Sequence, residues 1–358
     1  MYSSDEEVIG EYALTYDCFS NLKTNSLPKL PKNLKRLNLI GLDNITSLSE
    51  LPEGLSNLRI ICCKQITSLP KLPTGLKHLK CSSTPLSFLP ELPEGLISLT
   101  CEHLPIESLP NLPTSLIILD CDFTKIKVLP ELPEGLTKLA CSQSPLISLP
   151  ELPLLLIKLY CTDTQIECLP KLPPNLIHLS YYNNSKFVVA LPELPPKLEY
   201  LFCYNTNITC LPKLPDSLNT LNCSNNKLTY IPKLPKGLNM FICNNNSLSE
   251  LPELNYGLTK LFCENNKLTI LPELPSTIEE LSCYNNSLII DSNIFNNLSY
   301  RLSLIGDNLS CFSKMWSIWR SEKRSQERCR EIKQELMMEC WLEAEAEAEA
   351  EAEAEAEA

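Results

Sequence analysis

The chain has 358 residues, among them 18 cysteines and 29 prolines, and a formal net charge of −12. Eight glutamates of the last stretch, Glu343 to Glu357, supply most of that charge and leave about −4 elsewhere, so the basic stripe of a nucleic-acid binder is excluded. No apolar run reaches the roughly 18 residues a bilayer span needs, and the start M-Y-S-S-D-E-E-V-I-G-E lacks the basic and apolar regions of a signal peptide, so neither span nor export signal is expected.

Residues 1–26 stand outside the pattern that fills the rest of the chain. Glu6, Glu7, Val8, Tyr12, Leu14, Tyr16, Phe19 and Leu22 predict a short helix with an acidic start and an apolar face. Such a helix would cap the first unit's core or dock a partner.

From Leu27 a repeat takes over. Leu-Pro pairs recur every 20 residues from Leu69 to Leu169 and again from Leu191 to Leu271, after two longer units that start at Leu27 and Leu48. About 13 units with the form L-P-x-L-P-x-x-L-x-x-L-x-C-x-x-N-x-L-x-x occupy residues 27–290. A fixed period near 20 with this leucine spacing marks a leucine-rich repeat solenoid. Alternation, as in Leu79-Lys80-Cys81 or Leu261-Phe262-Cys263, puts leucine and cysteine on the inner face of a short strand and the residue between them outside. Proline fixes φ, lacks an N–H and restrains the residue before it, so L-P-x-L-P should be extended and close to polyproline II. The expected fold is therefore an α/β-class solenoid with short parallel strands on its concave face, an extended convex side and helical caps. At ~4.8 Å per strand the array would run on the order of 60 Å.

Ten cysteines (Cys81, Cys101, Cys121, Cys141, Cys161, Cys203, Cys223, Cys243, Cys263 and Cys283) fall in one slot of the repeat. There cysteine should pack as a small buried hydrophobe. A 20-residue comb does not supply the short paired spacing of a zinc site, so no metal or other cofactor is expected. The cysteines read as reduced and the compartment as cytoplasmic. Cys62, Cys63, Cys168 and Cys210 lie outside the comb and read as packing or solvent-facing residues. The C-x-x-N slot holds Asn226, Asn246, Asn266 and Asn286 late in the array but Thr84, Thr124, Ser144, Thr164 and Thr206 earlier. Asparagine offers both donor and acceptor to neighbouring turns, so the late units should be held more firmly.

Units of the form L-x-C-x-x-N-x-L-T-x-L-P-x-L-P resemble the short bacterial-type repeats of the invasion-plasmid-antigen and Yersinia outer-protein effectors, and similar arrays in giant-virus proteins. The resemblance covers residues 27 to about 290. It implies an effector or viral origin, with host cytoplasm as the place of action. This chain departs from the family pattern where it puts cysteine in place of valine or leucine. Effector ubiquitin ligases of this kind carry a large catalytic domain after the array, and residues 291–358 give no room for one. Cys161-Thr162-Asp163 matches their Cys-x-Asp setting in form only, because Cys161 sits in the buried comb.

The outward strand positions carry the candidate site. Aromatic residues gather between Tyr160 and Tyr204: Tyr160, Tyr182, Tyr200, Phe202 and Tyr204, with His178 among them and Met240 and Phe262 further on. Tyr284 extends the outer column. Exposed aromatics near charge are the composition of binding hot spots, which points to a protein partner on the concave face. The break in period, placed around Tyr181 to Ala190, is either a bulge that shapes the site or a tolerated irregularity. No nucleophile–base pair or phosphate loop accompanies these residues, so no enzyme is expected. The reading is a protein-interaction module, monomeric, with a substrate-recognition subunit of a ubiquitin-ligase assembly or a structural spacer as alternatives.

Residues 291–310 look like a degenerate last unit. Residues 311–342 lack proline and glycine and predict a charged helix carrying Trp316, Trp319 and Trp341, which would pack on the last unit, bind a partner or lie on a membrane surface. Residues 343–358 are (Glu-Ala)8, a low-complexity tail with no apolar stripe to bury.

Overall fold

The computed structural model describes residues 15–18, 27–184, 190–283 and 285–288. Among these residues, fourteen strands form one parallel sheet in strict sequence order. They are β1 (Thr15–Cys18), β2 (Arg36–Ile40), β3 (Asn57–Ile61), β4 (His78–Ser82), β5 (Ser98–Thr100), β6 (Ile118–Asp120), β7 (Lys138–Ala140), β8 (Lys158–Tyr160), β9 (His178–Ser180), β10 (Tyr200–Phe202), β11 (Thr220–Asn222), β12 (Met240–Ile242), β13 (Lys260–Phe262) and β14 (Glu280–Ser282). Register follows the repeat. Leu179, Leu201, Leu221, Phe241 and Leu261 lie opposite one another in adjacent strands and are fully buried.

Each turn closes by the same steps. The second proline of L-P-x-L-P accepts a hydrogen bond from the leucine three residues on, as in Leu76 N–H to Pro73 O (3.1 Å) and Leu218 N–H to Pro215 O (3.1 Å). The Leu-Pro stretches themselves are neither helix nor strand, as fixed proline φ requires. In the unit where Asn255 replaces that proline, its amide donates to Pro235 O and Leu238 O while its Oδ1 accepts from Gly257 N–H. The leucines of every unit then meet in a single continuous core.

Past the cysteine the chain reverses through a left-handed residue. Cys62, Ser83, His103, Phe123, Gln143 and Asp163 hold φ between 53° and 56° there, and Asn183, Asn205, Asn225, Asn245, Asn265 and Asn285 follow in the later turns. From Cys62 to Asn245 each such turn aims a backbone N–H at the next unit, as in Phe123 N–H to Ser142 O (2.9 Å). Asparagine takes this conformation at smaller cost than cysteine, serine, phenylalanine or glutamine, so the late units are less strained than most of the early ones.

Two expectations need correcting, and a third is narrowed. Residues 15–18 are a strand, not helix: β1 pairs in parallel with β2 through Tyr16↔Leu37. A solenoid's first strand presents an open row of N–H and C=O groups, and a strand satisfies that row where a helix does not. Among the described residues there is no helix, so helical caps are not supported; the helix expected over 311–342 lies outside them. The period does not break at Tyr181. Tyr181 fills the cysteine slot, fully buried, with its hydroxyl donating to Ile166 O at 2.8 Å, and Asn184 fills the asparagine slot. The two extra residues therefore fall between Asn184 and Leu191.

The comb is as expected. Cys81 through Cys263 are buried and free, and Cys283 is half-buried at the end of the row. Their thiols donate across the sheet, for example Cys101 to Asp120 O and Cys121 to Ala140 O, both at 3.4 Å. Cys63 is buried in the asparagine slot instead, and Cys62, Cys168 and Cys210 are exposed.

Candidate protein-binding face

Short strands with one buried residue between two outward ones, as in Lys158–Tyr160, leave two outward columns, one before and one after the central leucine. Parallel register lines these columns up: Lys138, Lys158, His178 and Tyr200 in the first, Ala140, Tyr160, Ser180 and Phe202 in the second. A third column follows the cysteine slot and carries Tyr182 and Tyr204.

Four of the eight predicted residues join in one ring cluster. His178 is the hub: its ring lies 4.7 Å from Tyr160, 5.7 Å from Tyr200 and 5.5 Å from Phe202, centroid to centroid. Tyr182 and Tyr204 form a separate stack at 4.1 Å and 14° in the third column. Met240 and Phe262 are not brought to the cluster. β11 intervenes with the polar Thr220 and Asn222 in the two columns. Tyr284 lies outside the described residues. Tyr200 is 37% exposed, and the other seven predicted residues are half-buried by their neighbours' rings and backbone.

The imidazole is held neutral. Burial, with the nearby Lys158 charge adding to it, lowers the His178 pKa from 6.5 to about 4. Its Nε2 lies 2.9 Å from Ser180 Oγ, and the Lys138 ammonium stands 6.0 Å over the Tyr160 ring.

Charge lies on the flanks. Toward the N-terminus, Lys80 pairs with Glu102 at 3.1 Å and Lys138 with Asp120 at 3.9 Å. Burial opposes ionisation of Glu102, but the Lys80 charge and hydrogen bonds from Lys80 and Ser82 outweigh it and set its pKa below normal. Burial dominates at Asp120, whose pKa is raised despite Lys138. Toward the C-terminus, Lys260 pairs with Glu280 at 2.6 Å, and Glu264, raised by burial, keeps one carboxylate oxygen buried without a hydrogen-bond partner.

Two features escaped the sequence reading. His103 and Phe123 stack at 4.0 Å in adjacent left-handed turns. Their identical offset after Cys101 and Cys121 was the signal. Leu104 occupies an asparagine slot with 2% exposure, which extends the core where a ladder residue would stand. The comb offers no nucleophile: burial pushes the Cys81 and Cys203 thiols up to about 12 and raises Cys161 as well, so thiolate is scarce at neutral pH. Cys161 donates to Ser180 O inside the core.

A one-layer parallel sheet built from 20-residue turns, with Leu-Pro edges and an asparagine slot, defines a leucine-rich repeat solenoid of the short bacterial type. Comparison with solved structures agrees. The chain is 32% identical to YopM from Yersinia enterocolitica WA-314 over 73% of its own length and 66% of that chain, with a TM-score of 0.60. It is 31% identical to YopM from Yersinia pestis, a leucine-rich effector protein, over 76% of its own length and 88% of that chain, with a TM-score of 0.57. The chain belongs to the YopM-like family of bacterial-type leucine-rich repeat proteins. A leucine-rich repeat protein of Leptospira interrogans shares the fold, at 24% identity and a TM-score of 0.53 over 74% of this chain and 82% of that one. No family model matches the chain, and no curated protein matches it by sequence. No described helix is long and apolar enough to cross a membrane.

Proposed function

We propose that the chain is a non-enzymatic protein-interaction module. The array of residues 27–290 binds a protein partner on the outer face of its sheet, centred on Tyr160, His178, Tyr200 and Phe202. The segment before it, 1–26, contributes to its first edge, and 291–342 and the tail 343–358 follow as distinct segments. The observation that carries the reading is the ring cluster. Four rings from three adjacent strands meet at His178, on a backbone fixed by continuous hydrogen bonds, and stay open to a partner at Tyr200. Rigid aromatic groups lose little conformational entropy on contact, which is why they dominate interface energetics. The relation to an effector protein supports a protein as the ligand, and the free thiols support a cytoplasmic setting.

Affinity capture from a cell lysate, comparing the intact chain with Tyr200→Ala/Phe202→Ala, tests this. A partner held by the intact chain and lost by a variant with an unchanged melting profile supports the reading. Identical partner lists would remove it and move the binding to the segments outside the array, or leave the array as a scaffold.

A further inference from the structure

The sheet face carries an apolar strip that the ring cluster does not absorb. The residue after the first buried leucine of each turn is polar in the first three turns (Lys35, Ser56 and Lys77), is Ile97, Ile117, Ile157 or Ile177 in the next five, with Thr137 between, and becomes polar again from Glu199 onward. Backbone bonds stack these positions directly, as in Ile117 N–H to Ile97 O (2.8 Å) and Ile177 N–H to Ile157 O (2.9 Å). Beside Ile157, the turn that holds Glu134-Gly135 and Pro174-Asn175 in the neighbouring units holds Leu154 and Leu155, exposed by 70% and 53%. The strip thus widens at the eighth strand.

Lys158 borders that wide part. Its register neighbours are Lys138 on one side and His178 on the other, so no carboxylate faces it along the column. Lys138 is drawn to Asp120, whereas Lys158 pairs with no carboxylate among the described residues. A cation between another lysine and a neutral imidazole, flanked by aliphatic side chains on one side and the Tyr160 ring on the other, is complementary to an anion carried on an apolar segment.

We propose that Leu154, Leu155, Ile157 and Ile177, together with Lys158, dock a protein segment that alternates aliphatic side chains with carboxylates. An extended segment has its alternate residues ~7 Å apart on each of two opposite faces, so lying edge-on it turns one set to the aliphatic strip and a carboxylate of the other set to Lys158 at the strip's border. The inference rests on the reading that this face binds protein, and it specifies the partner's chemistry.

The probe is a fluorescein-labelled decapeptide alternating leucine with aspartate, titrated against the full chain by fluorescence anisotropy. Two control peptides carry asparagine for aspartate or serine for leucine. Saturable binding is expected, weakened about tenfold or more by either control peptide and by Lys158→Glu. Leu154→Thr/Leu155→Gly, which installs the pair present at Thr74-Gly75, should weaken it to a similar degree while preserving the fold. Equal binding of all three peptides, or no saturable binding at about 1 mM, overturns the proposal. So does a dimer of the intact chain that sediments as monomer once Leu154 and Leu155 are replaced, which would assign the strip to a second copy. A lysate partner lost with Tyr200→Ala/Phe202→Ala but indifferent to Lys158→Glu would overturn this inference alone and leave the module reading in place.

Discussion

His178 shows how one residue's setting fixes its charge. Its folded pKa of about 4 lies below the ordinary 6.5, so the unfolded chain binds a proton first as pH falls. The sign follows from linkage: stability is complete above about 6.5 and is lost progressively down to about 4. Glu102, also lowered, adds in the same sense, while the raised Asp120 and Glu264 act against it. Urea denaturation at pH 7 and pH 4.5 should therefore show a smaller drop in midpoint for His178→Gln than for the parent. An equal drop would mean that the imidazole is not shielded. Ser83 makes a second case. It holds φ 53° where the later turns use asparagine, and its side chain is exposed. Ser83→Asn should stabilise by about 0.5 kcal/mol, read as a higher urea midpoint at constant slope. The C-x-x-N slot was plain in the sequence. The left-handed residue just before it was not, because Cys62, Ser83, His103, Phe123, Gln143 and Asp163 share no chemistry, only a backbone angle.

At the scale of the turn, the asparagine slot divides the array. Asn226 accepts from Thr206 N–H, Thr206 Oγ and Ile208 N–H, and donates to Cys203 O, Cys223 O and Ser224 O, all between 2.9 and 3.2 Å. Asn246 and Asn266 repeat most of that set. Thr124 and Ser144 bond only their own turn, to Cys121 O and Cys141 O, and the buried Thr84 hydroxyl has no partner. Asn226→Ala leaves several buried groups unsatisfied and should destabilise by about 2–4 kcal/mol, against about 1 kcal/mol for Thr124→Ala. Comparable losses for both would show that the slot does not bind neighbouring turns together. Asn184 already makes the inter-turn bonds, through Thr164 N–H at 2.7 Å and Cys161 O at 3.0 Å, so the firmer ladder begins earlier than the run of late asparagines suggests.

Across the whole array each turn is stabilised by its neighbours, so opening should spread from the weaker half. The comb provides the readout. In the native protein only Cys62, Cys168 and Cys210 of the described thiols are exposed. Pulsed thiol alkylation across a urea series, followed by peptide mass spectrometry, should label these three first. Cys101 and Cys121 should follow at lower urea than Cys223 and Cys243. Simultaneous labelling of all four would show one cooperative unit instead and remove the asymmetry inferred from the slot.

The sequence by itself determined the solenoid, its period and its core, because leucine and cysteine at fixed spacing can be buried only by stacking one turn on the next. It also placed the outward columns, since strand alternation leaves no choice of face. Tertiary structure decided what adjacency adds to those columns. The sequence placed Tyr160, His178, Tyr200, Phe202, Met240 and Phe262 in comparable positions, yet only the first four meet. A ring reaches one strand to either side, and β11 puts Thr220 and Asn222 in the gap. The first edge was decided in the same way. Thr15–Cys18 pairs with β2 because the open row of backbone groups there rewards a strand, a demand that exists only once the array has folded.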